Sequence, residues 1–251
     1  MAGHNKWSKV KRSKGVLDQK RGQLFSRLAK EITISAKIAG ADPAANPRLR
    51  TAILSARAQS MPNENIERAI KRALGESNGG GGLQELIYEG YAPGGVAVLM
   101  EAATDNKNRT AADLRLLFSK NHGSLASNGS VAYLFKRRGQ IALPRATFAE
   151  DRLFEIALEA GAEDVRTDDE HHLVITAHDQ LYAVADSLIK AGLEPESQKL
   201  VYFPDTSVHI SDRTVAAQII RLLDALEEND DVQAVHANFD APEEIFARSS
   251  G

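Results

Sequence analysis

Residues 75–82 read Gly-Glu-Ser-Asn-Gly-Gly-Gly-Gly and divide the sequence into two parts with different hydrophobic periodicities. Before this stretch, apolar residues recur every three to four positions, which is typical of helices. After it they form short runs and alternations, which are typical of strands. Four consecutive glycines favour no regular structure and are typical of a flexible linker between domains. The chain is therefore predicted to be a multidomain α and β protein of the α+β class.

Three amphipathic segments before the linker predict a three-helix domain. The first segment, residues 17–39, carries an apolar stripe and a neighbouring stripe of positive charge about 100° wide. The members of this cationic stripe are Lys20, Arg27, Lys30 and Lys37. Asn46 followed by Pro47 predicts the start of the second helix, because asparagine caps helix N-termini and proline suits the first helical position. Pro62 and Gly75 bound the third predicted helix.

The sequence after the linker predicts two α+β domains, one of them inserted into the other. Two strand–helix–strand halves, which begin near residues 96 and 207, predict a ferredoxin-like domain that is discontinuous in sequence. The strands and helices between these halves predict the inserted domain. The predicted domains are a basic arm (1–15), a helical nucleic-acid-binding domain (16–76), the discontinuous ferredoxin-like domain (77–138 and 205–245) and the inserted domain (139–204).

Two polar segments of the discontinuous domain are candidate contact loops. Residues 88–95 are interpreted as a turn before the first strand. The second strand is predicted at residues 131–135, after a helix. Residues 104–110 are interpreted as a loop between the first strand and a helix that Thr110 caps. Turn-forming and capping chemistry is the alternative explanation for both segments. The candidate secondary contacts in them are Tyr88, Tyr91, Asp105, Asn106, Asn108 and Arg109.

Charge is distributed unevenly along the chain. Residues 1–75 hold 16 Lys/Arg and 5 Asp/Glu, a net charge of +11, whereas residues 76–251 hold 15 and 29, a net charge of −14. Such an excess in one part indicates a polyanionic partner for that part. A solvated basic surface that offsets the acidic remainder is the alternative.

The basic arm also contains one aromatic residue. Trp7 lies among its cations, and an indole stacks on a nucleobase while cations contact phosphates. The alternative is that Trp7 anchors the arm on the helical domain. The candidate nucleic-acid-binding residues are Lys6, Trp7, Lys9, Lys11, Arg12, Lys14, Lys20, Arg21, Arg27, Lys30, Lys37, Arg48, Arg50 and Arg57.

Composition excludes several other classes of protein. Cysteine is absent, which excludes disulfides, thiolate metal sites and cysteine nucleophiles. No apolar run approaches the ~20 residues that span a bilayer, and the basic N-terminus lacks the apolar run of a secretory signal. We therefore expect a cytoplasmic protein with no membrane partner. No nucleophile–base or metal-ligand pattern is visible, so we expect no catalytic residue, metal, cofactor or small-molecule substrate. An enzyme with an unrecognised site is the alternative.

Long motifs along the chain resemble the YebC family. They include Met1-Ala2-Gly3-His4 with Lys6-Trp7, Asn46-Pro47-Arg48-Leu49-Arg50, Tyr88-Glu89-Gly90-Tyr91, Thr104-Asp105-Asn106, Asn108-Arg109-Thr110 and Gly129-Ser130-Val131-Ala132-Tyr133. The sequence departs from the usual family pattern at Asn5, Gln23 and Ala92. The resemblance covers nearly the whole chain and implies a helical N-terminal domain, two α+β domains and no enzymatic activity.

The resemblance leaves two functions open. Members of the family are described as DNA-binding transcriptional regulators and as translation factors that ease elongation at the ribosome, for example through proline runs. Sequence-specific DNA binding needs a recognition helix, and no helix-turn-helix signature is visible. Structured RNA is recognised more by shape and charge. We therefore expect rRNA or tRNA at the ribosome as the partner, with promoter DNA as the alternative.

Overall fold

The computed structural model describes residues 17–75, 82–147 and 149–242. These residues form two compact units. The first unit comprises the described residues up to Phe135 and from Pro204 onward, and the second unit is Lys136–Phe203. Helices and antiparallel strand pairs occur in this structure, so the predicted α+β class is confirmed.

The element bounds are as follows. The helices are α1 (Leu17–Ala39), α2 (Pro47–Ala58), α3 (Asn63–Ala73), α4 (Lys107–Lys120), α5 (Glu150–Glu159), α6 (Leu181–Lys190) and α7 (Arg213–Glu227). The strands are β1 (Gln84–Ala92), β2 (Val96–Thr104), β3 (Ser124–Ala126), β4 (Phe135–Pro144), β5 (Asp164–Thr167), β6 (His171–Ala177), β7 (Ser197–Pro204), β8 (Val208–His209), β9 (Val232–Ala237) and β10 (Phe239–Asp240).

The first three helices pack as a small bundle. Asn46 caps α2, because its side-chain oxygen accepts a hydrogen bond from the backbone N–H of Leu49 at 3.0 Å. This confirms the predicted start of the helix. Ile32 of α1, Leu49 of α2 and Ile66 of α3 meet in one buried cluster, each less than 5% exposed. Burial of this apolar face, more than helix propensity, stabilises helices of such length.

The first unit also contains a four-stranded sheet with the order β3-β1-β2-β9. Strand β1 pairs antiparallel with β2 along its whole length, with Tyr88 opposite Met100 and Glu89 opposite Leu99. Helices α4 and α7 cover one face, where Met100, Leu114 and Leu222 share a buried core. Strands β8 and β10 form a separate two-stranded parallel pair.

The second unit has the chain order β4-α5-β5-β6-α6-β7 and the sheet order β5-β6-β4-β7. This connectivity is that of a ferredoxin-like, split βαβ arrangement. The sequence pattern predicts this arrangement for the discontinuous domain, but the sheet of that domain contains the antiparallel pair of β1 and β2 and does not confirm the prediction. The pattern of strands and helices is similar in both parts, so periodicity alone did not separate them.

Three local interpretations of the sequence were wrong. Most of the expected turn at residues 88–95 belongs to β1, and only Pro93–Gly95 form a turn. The expected strand at residues 131–135 is mainly a 3₁₀ turn, Ala132–Leu134, and β3 is the short strand that follows α4. Asparagine outcompetes threonine as a cap at the start of α4, because the Asn106 side chain accepts two backbone N–H bonds.

Candidate nucleic-acid interface

Six candidate residues of the basic arm lie outside the residues that the structure describes. They are Lys6, Trp7, Lys9, Lys11, Arg12 and Lys14. Lys20 lies in α1, but its side chain is also outside the described part of the chain. The binding role of these seven residues stays a prediction.

The rest of the cationic stripe of α1 faces the protein's own sheet domain. The Arg27 guanidinium donates to the backbone carbonyl of Glu227 at the end of α7. The Lys30 ammonium donates to the carbonyl of Asp230 at 2.7 Å, and Lys37 donates to the carbonyl of Leu83 at 3.2 Å. A helix C-terminus carries partial negative charge, so the end of α7 attracts Arg27 and Lys30. Arg27 and Lys30 are therefore held by intramolecular partners, whereas Lys37 keeps an exposed side chain beside its contact with Leu83.

Asp231 is the centre of this contact. Its carboxylate is 10% exposed and accepts hydrogen bonds from Lys30 at 2.8 Å, Thr110 at 2.7 Å and Arg109 at 3.0 Å. Burial by itself raises the pKa of this carboxyl, but the bonds from Lys30, Thr110 and Arg109 outweigh burial and lower the pKa to about 2. Asp231 therefore stays ionised and joins α1, α4 and the turn before β9.

Arg48 forms a second junction. Its guanidinium donates to both carboxylate oxygens of Glu31 in α1, at 2.8 and 3.1 Å, and also pairs with Glu85 of β1. Burial opposes the charged form, but the hydrogen bonds to Glu31 and Glu85 raise the pKa of the guanidinium overall. A two-oxygen Arg–carboxylate pair fixes orientation as well as charge. Arg48 thus links the bundle to the sheet.

The candidate contacts at the start of α4 also make hydrogen bonds within the protein. Asn106 caps the helix by accepting from the backbone N–H groups of Asn108 and Arg109. The Arg109 side chain bridges the Asp105 carboxylate at 3.1 Å and Asp231 at 3.0 Å. The capping alternative therefore accounts for the observed contacts of Asn106 and for the backbone of Asn108.

The Tyr88–Tyr91 motif is also built into the fold. The Tyr88 hydroxyl donates to the carbonyl of Lys107, and the Tyr91 hydroxyl donates to the carbonyl of Ser130, each at 3.0 Å. Gly90 lies under the ring of Phe118, where an added Cβ would stand 2.5 Å from a ring carbon. Only glycine fits this close approach without a shift of the ring.

Sequence reasoning missed Glu89, the remaining residue of that motif. The residue is 3% exposed, and its carboxylate accepts the backbone N–H groups of Gly129, Val131 and Ala132 at 2.6 to 2.8 Å. Burial raises the pKa of this carboxyl, but the backbone donors lower it overall. The partners lie about 40 residues away along the chain, so no local pattern predicts them.

The bundle keeps a basic excess on its surface. The exposed cations of residues 21–75 are Arg21, Lys37, Arg57, Arg68, Lys71 and Arg72, and the exposed acids are Asp42, Glu64 and Glu67. Arg57 lies in the last turn of α2, and Lys71 and Arg72 lie in the last turn of α3. The last two were not among the predicted residues, although adjacent cations at a helix end are visible in the sequence.

Two further predicted cations have local neighbours. The Arg21 guanidinium lies over the ring of Phe25, 5.4 Å from its centre. Arg50 is half-buried, with its guanidinium 3.4 Å from the carbonyl oxygens of Pro43 and Ala44. Arg21 is exposed, and the binding role of Arg21 and Arg50 stays a prediction.

Two domain models of one protein family match the sequence. The TACO1/YebC N-terminal domain matches residues 5–76, and the TACO1/YebC second and third domain matches residues 83–239. The chain belongs to the TACO1/YebC family. The two matches leave out residues 77–82, which contain the glycine run.

Full-length relatives of the family carry names that refer to regulation. A protein of Rubrobacter xylanophilus is 50% identical over 251 residues, all of both chains, and one of Treponema pallidum is 51% identical over 98% of this chain and 99% of its own. Each is named a probable transcriptional regulatory protein. The crystal structure of a conserved hypothetical protein from Aquifex aeolicus, 48% identical, aligns with a TM-score of 0.84 over 90% of this chain and 92% of that one.

In the part of the chain that the structure describes, no helix is long and apolar enough to cross a membrane. Within the same residues, no group of three or more histidine, aspartate or glutamate side chains is arranged to hold a metal ion.

Proposed function

We propose that this member of the TACO1/YebC family is a non-enzymatic, nucleic-acid-binding regulator of gene expression that acts at the ribosome in the cytoplasm. The basic arm and the exposed cations of the bundle bind rRNA or tRNA, and this docking eases stalled elongation. The observation that carries the proposal is the concentration of positive charge in residues 1–75, which have a net charge of +11. Phosphate contacts made by such a surface release counterions and drive binding.

The charge that remains at the bundle surface supports this proposal. Arg57, Lys71 and Arg72 are exposed and have helix-end positions. Arg27, Lys30 and Arg48 do not belong to the proposed interface, because their charges are used within the protein. The proposed interface is thus smaller than the sequence indicated and depends more strongly on the arm.

The surroundings of α1 favour RNA over sequence-specific DNA. Ile32 and Ala36 are buried in the bundle, and Ile34 is buried against Leu83 and Ala103 near the sheet. Residues 32–36 are buried on every side of the helix, so this part of α1 has no free face for a DNA groove. A recognition helix needs side chains that reach base edges, whereas RNA recognition by shape and charge does not.

The first turn of α3 adds a second argument against DNA reading. Recognition helices contact bases through their N-terminal residues. In α3 these residues include Glu64, and Glu67 follows one turn later; both are exposed. Carboxylates at this end repel the phosphate backbone that flanks the groove.

Binding to promoter DNA is the second candidate function. It is favoured by the names of the relatives from Rubrobacter xylanophilus and Treponema pallidum, which are probable transcriptional regulatory proteins. The same basic surface would contact DNA phosphates. Phosphate contacts position a protein on a duplex but carry no sequence information, so this role requires an additional base-reading element.

Co-sedimentation of the full chain with purified ribosomes at moderate salt tests the proposal. We expect the wild-type chain to pellet with ribosomes and the variant Lys71→Ala/Arg72→Ala to pellet less. The matched control is Arg152→Ala/Lys190→Ala, which removes two exposed cations of the second unit. A wild-type chain that stays in the supernatant, but binds one duplex DNA against excess random DNA, overturns the ribosomal role in favour of the transcriptional one.

A further inference from the structure

The loop formed by residues 127–134 is fixed to the sheet by a buried carboxylate. Glu89 on β1 accepts the backbone N–H groups of Gly129, Val131 and Ala132. A buried carboxylate is costly unless it is fully hydrogen-bonded. All three donors belong to residues 127–134, which we call the Glu89-anchored loop. Its conformation is therefore strongly constrained.

Two further hydrogen bonds and the burial of two apolar side chains hold the same loop. The Tyr91 hydroxyl donates to the carbonyl of Ser130 at 3.0 Å. Val131 is fully buried, and Phe135, directly after the loop, is 6% exposed. The carbonyl of Leu134 accepts the backbone N–H of Asp205 at 2.9 Å. The loop is thus held at its middle and at its end.

Tyr133 projects from this fixed loop into solvent. It lies in the 3₁₀ turn Ala132–Leu134, and it is 72% exposed, the highest exposure among the large hydrophobic residues of the described chain. Its neighbours two positions away, Val131 and Phe135, are both buried. The backbone therefore buries one side of this segment and presents the phenol ring on the other.

We propose that Tyr133 stacks on an unpaired nucleobase of the RNA that the protein binds. This inference rests on the proposed function, since it assigns one contact within that RNA interface. An aromatic ring on a rigid support loses little entropy on binding, and base–aromatic stacking is the usual way to bind single-stranded RNA. The loop presents the ring without reorganisation.

The surroundings of the ring favour a nucleobase over an apolar protein surface. Ser127, Asn128 and Gly129, which precede the ring in the same loop, are exposed. A large apolar patch is the mark of a protein-docking site, whereas a single exposed ring in a loop with exposed serine and asparagine is suited to stacking with hydrogen bonds at the base edge. The carboxylate of Glu89 is buried beneath the loop, so its charge does not face the RNA.

Binding of short RNAs to the full chain tests the proposal. The probes are an unstructured RNA oligonucleotide with one 2-aminopurine and the same sequence within a duplex, measured by fluorescence anisotropy and 2-aminopurine quenching. We expect Tyr133→Ala to weaken binding of the single strand by about tenfold or more and to abolish the quenching. Duplex binding stays at the wild-type level, because paired bases are already stacked.

Three variants distinguish stacking from other effects. Tyr133→Phe retains the ring and should bind like the wild type, whereas Tyr133→Leu retains only apolar bulk and should behave like Tyr133→Ala. Phe154→Ala removes an aromatic residue that is 44% exposed on α5 and should change neither affinity. Equal melting temperatures of all variants show that the fold is unchanged.

Each other outcome overturns the inference in a different way. A wild-type chain that binds neither RNA overturns the proposed function and this contact with it. Tyr133→Ala binding the single strand like the wild type overturns the contact alone. Wild-type affinity of Tyr133→Leu means apolar packing instead of stacking. Loss of ribosome pelleting with unchanged RNA affinity for Tyr133→Ala means that the ring contacts a ribosomal protein.

Discussion

The ammonium of Lys30 and the carboxylate of Asp231 lie 2.8 Å apart and join the first helix to the turn before the last strand of the sheet. Their positions are 201 residues apart in the chain. The pair shows that part of the basic charge of the helical domain serves the protein's own architecture. The surface available to a polyanion is therefore smaller than the number of cations in the helical domain suggests.

Asp231 makes the stability of the protein depend on pH in the acid range. Its pKa is about 2 in the folded state against an ordinary value of 3.8, so ionisation stabilises the fold above pH 4. This contribution, about 2 kcal/mol, is lost as the pH falls from about 4 to 2. Urea unfolding at pH 6 and at pH 2 measures most of this loss.

The variant Asp231→Asn isolates this effect. It removes the charge that balances Lys30 and Arg109, so we expect a loss of about 3 kcal/mol at pH 6 and a weaker dependence on pH below 4. The control is Asp230→Asn, which keeps the backbone carbonyl that Lys30 contacts and weakens an attraction to Arg27. Identical acid dependence of Asp231→Asn and the wild type contradicts the assignment.

Gly90 and Gly22 respond oppositely to the same substitution. Gly90→Ala places a Cβ 2.5 Å from the ring of Phe118, so we expect a loss of about 1–3 kcal/mol from overpacking. An added Cβ at Gly22 meets nothing within 4 Å, and alanine in a helix stabilises by about 0.5–1 kcal/mol. Thermal unfolding of both variants measures whether each substitution lowers or raises stability. Destabilisation of similar size at both sites argues against the ring contact.

The Glu89-anchored loop should lose its order when the carboxylate is replaced. Glu89→Gln keeps the shape of the side chain but replaces one acceptor oxygen by a donor, so the three N–H bonds from the loop are not all satisfied. We expect faster hydrogen exchange at Gly129, Val131 and Ala132, with amides in the middle of α4 unchanged. Unaltered exchange at these three amides means that other contacts suffice to hold the loop.

Local patterns in the sequence predicted the local features of the fold. The helical spacing predicted α1, and Asn46-Pro47 predicted the start of α2, because a cap and a first-turn proline act within one turn. The α+β class followed from the change of periodicity after the glycine run. Residues 88–92 were misassigned, since their Tyr-Glu-Gly-Tyr composition is typical of a turn, and pairing with β2 overrides that preference.

Long-range partners explain most of what the sequence did not predict. On a helical wheel Arg27 and Lys30 lie on one cationic stripe of α1. Their partners at the end of α7 are about 200 residues away in the sequence, so the helical pattern does not reveal them. The buried role of Glu89 depends likewise on a distant loop. Tyr133 belongs to the Gly129–Tyr133 motif of the family resemblance, but its exposure depends on the burial of Val131 and Phe135 on either side.

The central claim is that the basic arm and the bundle neutralise the backbone of RNA. The most direct test is the salt dependence of RNA affinity for the wild type and for a variant with Lys9, Lys11, Arg12 and Lys14 all replaced by alanine. We expect the variant to bind more weakly and the slope of log affinity against log salt concentration to be smaller by up to ~3, since each phosphate contact contributes about 0.7–0.9. An unchanged slope contradicts the claim, because the arm would then contact no phosphates.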